Sequence, residues 1–309
     1  MSSSLLLAEC FSTPWALMPE RLQTLISVVS RWTASVPASE SLLTEVHSER
    51  VAREARRQAR LAQSAPGVAI LPLYGVIVQR GNLIEEVSGA GMTSTQAFSS
   101  ALHAAVSDES IEQILIDIDS PGGSVYGVAE LAEDIYRARA SKRIVAIANS
   151  LAASAAYWIG SAAKEFYVTP GGEVGSIGVW QAHQDFSRAF EQAGISTTLI
   201  SAGRYKVEGH PYAALDAEAR DFMQSRVDEY YAAFVKSVAR GRAASVSLVR
   251  EGMGEGRVLG AEAAHAANMV DGILSFDRLL QEMVRDARRT AKARPQLAKA
   301  RRELEWLAL

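Results

Sequence analysis

Residues 144–160 read Ile-Val-Ala-Ile-Ala-Asn-Ser-Leu-Ala-Ala-Ser-Ala-Ala-Tyr-Trp-Ile-Gly. Ile144–Ala148 is a short apolar run of the kind that forms a buried strand, and Asn149 and Ser150 predict a polar turn after it. An alanine-rich helix start follows, with one hydroxyl, Ser154, set among small neighbours. Small flanking residues let a second backbone come close to that hydroxyl. A helix start also places unpaired N–H groups and the positive end of the helix dipole beside it. Such a position suits the nucleophile of an acyl-transfer enzyme, and equally an ordinary helix N-cap. What decides between the two lies elsewhere in the chain.

Outward from this strand, apolar runs alternate with helical patterns. Val68–Val78 is β-rich with breaks at Pro72 and Gly75, and Ile114–Ile118 is a continuous apolar strand ending in Asp119-Ser-Pro-Gly-Gly-Ser124. Thr93 or Ser94 caps a helix to about Val106 with Phe98, Leu102 and Ala105 on one face. A second helix is expected over Ser124–Ala140, with Val128, Leu131 and Ile135 inward. Strands follow at Glu165–Thr169 and Thr197–Ser201, with a short helix at Asp185–Ala193 between them. Asp216 caps a long helix closed by Gly241, and a last core helix spans about Gly260–Met269. This order argues an α/β layered fold with mostly parallel strands.

The ends differ in texture. Before the Gln63-Ser-Ala-Pro-Gly67 break, Pro14 opens a helical pattern through Leu17, Leu22, Leu25, Ile26 and Val29, and a second runs from Leu43 into Arg53, Arg56, Arg57 and Arg60. The expected division is a helical extension over 1–65, a catalytic-sized domain over 66–276 and a basic helical tail over 277–309 divided by Pro295. That tail reads as a solvated helix or a partner-binding segment.

Composition excludes several classes. A net charge of −3 gives no pull toward nucleic acid or an anionic membrane, and no apolar run is long enough to span a bilayer. Cys10 is the single cysteine, so an internal disulfide and cysteine-based metal sites are ruled out. The apolar N-terminal run has no Lys or Arg ahead of it, unlike a signal peptide; a cytoplasmic location is expected. His47, His103, His210 and His265 show no metal-ligand spacing, and neither a metal nor a cofactor is expected.

Three elements converge on chemistry. The glycines of Ser120-Pro-Gly-Gly-Ser124 free a turn whose N–H groups can face one anionic point, a phosphate or a developing oxyanion; no Gly-Lys-Ser/Thr follows, so this is no Walker loop. Ser154 lacks the Gly-x-Ser-x-Gly pattern of an α/β-hydrolase. A serine nucleophile needs a base, and His183 and Lys206 are the two candidates. For Lys206 to act near neutral pH its pKa must fall from about 10.4 to about 7–8, a cost of roughly 4 kcal/mol met through desolvation.

Together these residues carry a resemblance. Ser-Pro-Gly-Gly after a strand, Ala152-Ala-Ser-Ala-Ala-Tyr-Trp158, Val174-Gly-Ser-Ile-Gly-Val179 and Gly203-Arg-Tyr-Lys206 are similar to the motifs of the signal peptide peptidase A family. The likeness is closest to its phage and prophage branch of capsid (prohead) maturation proteases, and Gly256-Arg-Val-Leu-Gly-Ala-Glu262 extends it. The resemblance implies a ClpP/crotonase-like spiral of repeated ββα units, to which the helical patterns at both ends are extensions. It implies a Ser–Lys dyad of Ser154 and Lys206, with Gly122 and Ala155 N–H groups as the oxyanion hole. A substrate strand would lie beside Gly123 and Ser124 on one side and Gly175, Ser176 and Ile177 on the other. Capsid or scaffold proteins would be the substrates and a ring-like homo-oligomer the assembly; His183 stays as the alternative base. A peptide-degrading protease of cellular type, a crotonase-type acyl-CoA enzyme and a non-catalytic scaffold-associated module are the competing readings. The acyl-CoA enzyme would require neither Ser154 nor Lys206.

Overall fold

The computed structural model describes residues 13–19, 65–80 and 92–307, from 292 onward as backbone. The helical patterns read over Leu22–Arg60 lie outside the described residues. The larger sheet is built on three parallel strands, β2 (Val68–Tyr74), β5 (Gln113–Ser120) and β7 (Arg143–Ala153). The far edge of β7 is shared by β8 (Glu165–Val168) along its first half and β9 (Glu173–Gly175) along its second. β10 (Val258–Gly260) closes on β9, and β11 (Gly272–Ile273) on β8. A smaller sheet runs in the order β1 (Trp15–Leu17), β6 (Gly122–Ser124), β3 (Val76–Val78), β4 (Met92–Ser94).

The strands alternate faces as a pleat requires. Ile114, Ile116, Ile118, Ile144, Ala146 and Ala148 belong to one cluster, which also takes Phe98, Leu102, Leu131 and Ile135. These come from α1 (Thr95–Ser107) and α2 (Val128–Ala138). Leu115, Val145 and Ile147 face the other way, onto Phe276, Leu279, Met283 and Ala287 of α8 (Phe276–Leu307). The central strands are thus covered on both faces, which is why they read as unbroken apolar runs. Between them the chain forms α3 (Ala155–Gly160), α4 (Ser187–Gln192), α5 (Ala217–Gly241), α6 (Val246–Gly252) and α7 (Ala261–Ala266). Among the described residues no helix is long and apolar enough to cross a membrane.

Ser94 and Asp216 cap their helices as expected, accepting from Ala97 and Ala219 N–H at 3.3 and 2.7 Å. Five expectations are corrected. Pro14 opens no helix, because Trp15–Leu17 is an extended strand held by partners more than a hundred residues away. Asn149 and Ser150 do not end β7; the extra residues bulge out between the Ile118–Ala148 and Ser120–Ala152 pairs and the strand resumes. Ser124 closes strand β6 instead of opening a helix, and α2 starts only at Val128. Thr197–Ser201 forms no strand, since among the described residues no neighbouring strand pairs with it. Finally, α8 runs through Pro295, and its first turns belong to the core where a solvated tail was expected.

Candidate active site

The end of β7 delivers Ser154. Its N–H donates to Gly175 O of β9 at 2.7 Å, and its own carbonyl accepts from Trp158 N–H at 2.9 Å, the first hydrogen bond of the α3 turn. Between these two anchors the backbone is bent to φ 56° and ψ −119°. A side chain at positive φ costs about 1–3 kcal/mol, so the surrounding hydrogen bonds hold this residue against its preference. Ser154 occupies the N-cap position, yet its side chain makes no capping bond. Its Oγ instead donates to Gly178 O at 3.5 Å, and the residue is 1% exposed. The alanines around it, Ala152, Ala153, Ala155 and Ala156, are fully buried. The hydroxyl is therefore turned away from the cap and toward the sheet junction.

Gly122 stands against it. At φ +101°, a Cβ there would lie 2.9 Å from Ser154 Cβ, 3.0 Å from Ala153 O and 2.3 Å from Ala16 O. Gly123 is as tightly held, with Ile77 O at 1.9 Å from its would-be Cβ. Only glycine fits either position. The Gly122 N–H donates to Ser120 Oγ at 3.1 Å, and Ser120 Oγ in turn donates to Gly75 O at 2.6 Å. Ser124 is buried, its Oγ accepting from Tyr126 N–H at 3.2 Å.

On the opposite wall the chain uses up most of its main-chain groups. β9 lies between β7 and β10, and Ser176 N–H donates to Arg257 O at 2.8 Å. Ile177 points into the core and is 2% exposed. Gly175 and Ser176 are thus committed to the sheet, and the edge that faces β6 is the stretch Gly178–Trp180. Between those two edges lies β1. It pairs antiparallel with β6, Ala16 opposite Gly123, and Trp15 exchanges both main-chain hydrogen bonds with Trp180 at 2.8 and 3.0 Å. Trp180 Nε1 adds a bond to Leu17 O at 2.8 Å. Sequence reading missed this segment, although the two prolines bracketing Trp15–Met18 were a signal against the helix.

The two candidate bases fare differently. His183 donates from Nε2 to His210 O at 3.2 Å, a bond between two loop segments, and takes no part at Ser154. Lys206 stands exposed in the loop before α5, its N–H turned to Gly203 O at 3.1 Å. No hydrogen bond joins Lys206 to Ser154 within the described single chain. The whole arm from Phe186 to Phe222 is rich in exposed apolar side chains, among them Ile195, Leu199, Tyr205 and Ile200, the last 96% exposed. Among the described residues no group of three or more His, Cys, Asp or Glu is placed to hold a metal.

Against known proteins, residues 137–289 match the sequence profile of peptidase family S49. Capsid assembly protease C of Escherichia phage lambda is 36% identical over 238 residues, 77% of this chain and 53% of that protein. Head-tail preconnector protein GP5 of Enterobacteria phage P21 is 38% identical over 194 residues, 63% of this chain and 38% of that protein. The chloroplastic serine protease SPPA of Arabidopsis thaliana is 25% identical over 217 residues, 66% of this chain and 31% of that protein. The chain spans about half the length of the lambda protein and less of the other two.

Proposed function

Because the chain belongs to peptidase family S49, we propose that it is a serine endopeptidase with Ser154 as nucleophile. The observation that carries this is the Ser154 backbone, held at φ 56° with its hydroxyl free of capping and backed against Gly122. Lys206 is the general base. As the free amine it takes the Ser154 proton while Oγ attacks the substrate carbonyl. The tetrahedral oxyanion is held by Gly122 and Ala155 N–H groups, the former released from Ser120 Oγ. The ammonium then gives its proton to the leaving amine, and Lys206 draws a proton from the water that hydrolyses the acyl-enzyme. His183 is disfavoured by its bond to His210 O.

Since Lys206 is exposed in its own chain, we assign it to the Ser154 of a neighbouring subunit in a homo-oligomer. The exposed apolar arm that carries it supports that assembly. The unit β2–β3–α1, echoed by β5–β6–α2, with long strands pairing in one sheet and short ones in the other, supports a ClpP/crotonase-like spiral. Extended protein segments are the substrates, and the name of the lambda relative, a capsid assembly protease, points to capsid or scaffold proteins.

The test uses an activated fluorophosphonate and a peptide-hydrolysis assay. Ser154→Ala and Lys206→Ala should each abolish hydrolysis with folding intact. Mixing and reassembling the two inactive variants should restore activity at about a quarter of the sites, since random association pairs an intact serine with an intact lysine that often. Labelling outside Ser154, or full activity in Lys206→Ala, would overturn the assignment.

A further inference from the structure

The peptide groove is already filled. Pro14–Met18 lies between β6 and Trp180 with main-chain bonds to both walls: Trp15 to Trp180, Met18 N–H to Pro121 O at 3.1 Å and Val125 N–H to Pro14 O at 3.4 Å. Trp15, Ala16 and Leu17 are 7%, 0% and 1% exposed. Ala16 O occupies the same face of Gly122 as Ser154 Cβ. A bound substrate strand would need these two edges and this face, and both cannot be there together.

We infer that Pro14–Met18 is a resident substrate-like strand that shuts the groove, and that a peptide substrate must displace it before reaching Ser154. The inference rests on the reading of Ser154 as nucleophile. Three observations favour an occupant over a mere structural strand. The segment reaches the molecule from a chain position far from both walls, 104 residues before Gly122 if counted from Met18. It is three residues of strand anchored by only two large side chains, Trp15 and Leu17, a hold that a longer ligand can outcompete. Ser154 next to it is 1% exposed, while the neighbouring Gly122 N–H is tied to Ser120 Oγ and so is in a resting arrangement. The strand's central residue is alanine, wholly buried and paired with Gly123, so the displacing peptide should carry a small residue at that place.

Trp15→Ala and Leu17→Ala in the full chain loosen the strand without adding charge. Each should raise the rate of fluorophosphonate labelling and of peptide hydrolysis about tenfold, as expected when one large apolar anchor of a competing ligand is lost. A synthetic peptide of sequence Ser-Thr-Pro-Trp-Ala-Leu-Met-Pro, added in trans, should bring the rate of the loosened variants back down. A second measurement needs no variant. Covalent capture of Ser154 in the natural chain by a peptidyl phosphonate should speed hydrogen exchange at the Trp15 and Met18 amides, while β5 and β7 amides keep their protection. Slower or unchanged labelling in the variants, or Trp15 and Met18 amides still protected after capture, overturns the inference. Those results leave Ser154-dependent hydrolysis in place; loss of the peptidase reading itself would instead appear as hydrolysis that survives Ser154→Ala.

Discussion

Gly122 is where three backbones meet, and its lack of a side chain is a condition for the site. A methyl there would press on Ala16 O and on Ser154 Cβ, and the left-handed φ would strain any other residue. Gly122→Ala should therefore lower hydrolysis by about 100-fold or more, the scale of losing an oxyanion donor. Steady-state kinetics beside a thermal melt checks it; a rate loss well beyond any stability loss is the expected result. Ser154 and Gly122 were both legible in the sequence. A hydroxyl among alanines and a Gly-Gly after an apolar strand are local patterns with a physical reason to exist, and the structure puts the two residues in contact. His183 was legible only as a histidine in a loop, and nothing local distinguishes a proton acceptor from a donor to a carbonyl. Lys206 was legible through the Gly-Arg-Tyr-Lys pattern of its loop, but the chain's own geometry leaves it exposed and apart from Ser154.

Elements with long apolar runs or capped amphipathic faces were read well: Ile114–Ile118, Ile144–Ala148, Thr95–Ser107 and Ala217–Gly241 are strands and helices as their periodicity demands. The three-residue strands β1, β4, β6 and β10 were not. Too short to show a period, they exist only because a partner strand elsewhere in the chain pairs with them. The start of α8 was misjudged for a related reason, its charged residues masking Leu279, Met283 and Ala287 spaced four apart. An ion pair ties this helix to the sheet. Arg143 on β7 holds Glu165 of β8 at 2.7 Å, reaches Asp286 of α8 at 3.4 Å and bonds to Gln113 Oε1. The Arg143 guanidinium, first through its hydrogen bond, holds the Glu165 carboxyl below its ordinary 4.5. A carboxyl so depressed binds fewer protons folded than unfolded, so its contribution is complete above pH 4.5 and fades as the pH drops through the lowered value. The urea midpoint should fall with acid over that window, and Glu165→Gln should flatten the dependence.

At the scale of the molecule, the described chain leaves a broad apolar surface uncovered. The arm between α4 and α5 exposes Ile195, Leu199, Ile200 and Tyr205 beside Lys206, and the near half of α5 exposes Phe222. Large apolar groups clustered in water are the mark of a surface that meets another. In the proposed homo-oligomer that surface brings Lys206 to its neighbour's serine. Ile200→Glu should then reduce the particle mass seen by light scattering and the peptidase rate together, leaving the circular dichroism of each chain unchanged. Disassembly without loss of rate would separate the base from the arm. The far half of α5 is anchored by contrast: Phe234 stacks on Trp158 of α3 at 4.6 Å, and Gly241 abuts Ser161 O.

The Trp15–Trp180 pairing also gives the protein an optical property. Trp15 is shielded from water only while its strand stays seated against Trp180. When the seat empties, an indole moves from an apolar slot into solvent and its emission shifts to the red. Trp15, one of five tryptophans in the chain, should thus report departure of its strand as a red shift that Trp15→Phe abolishes.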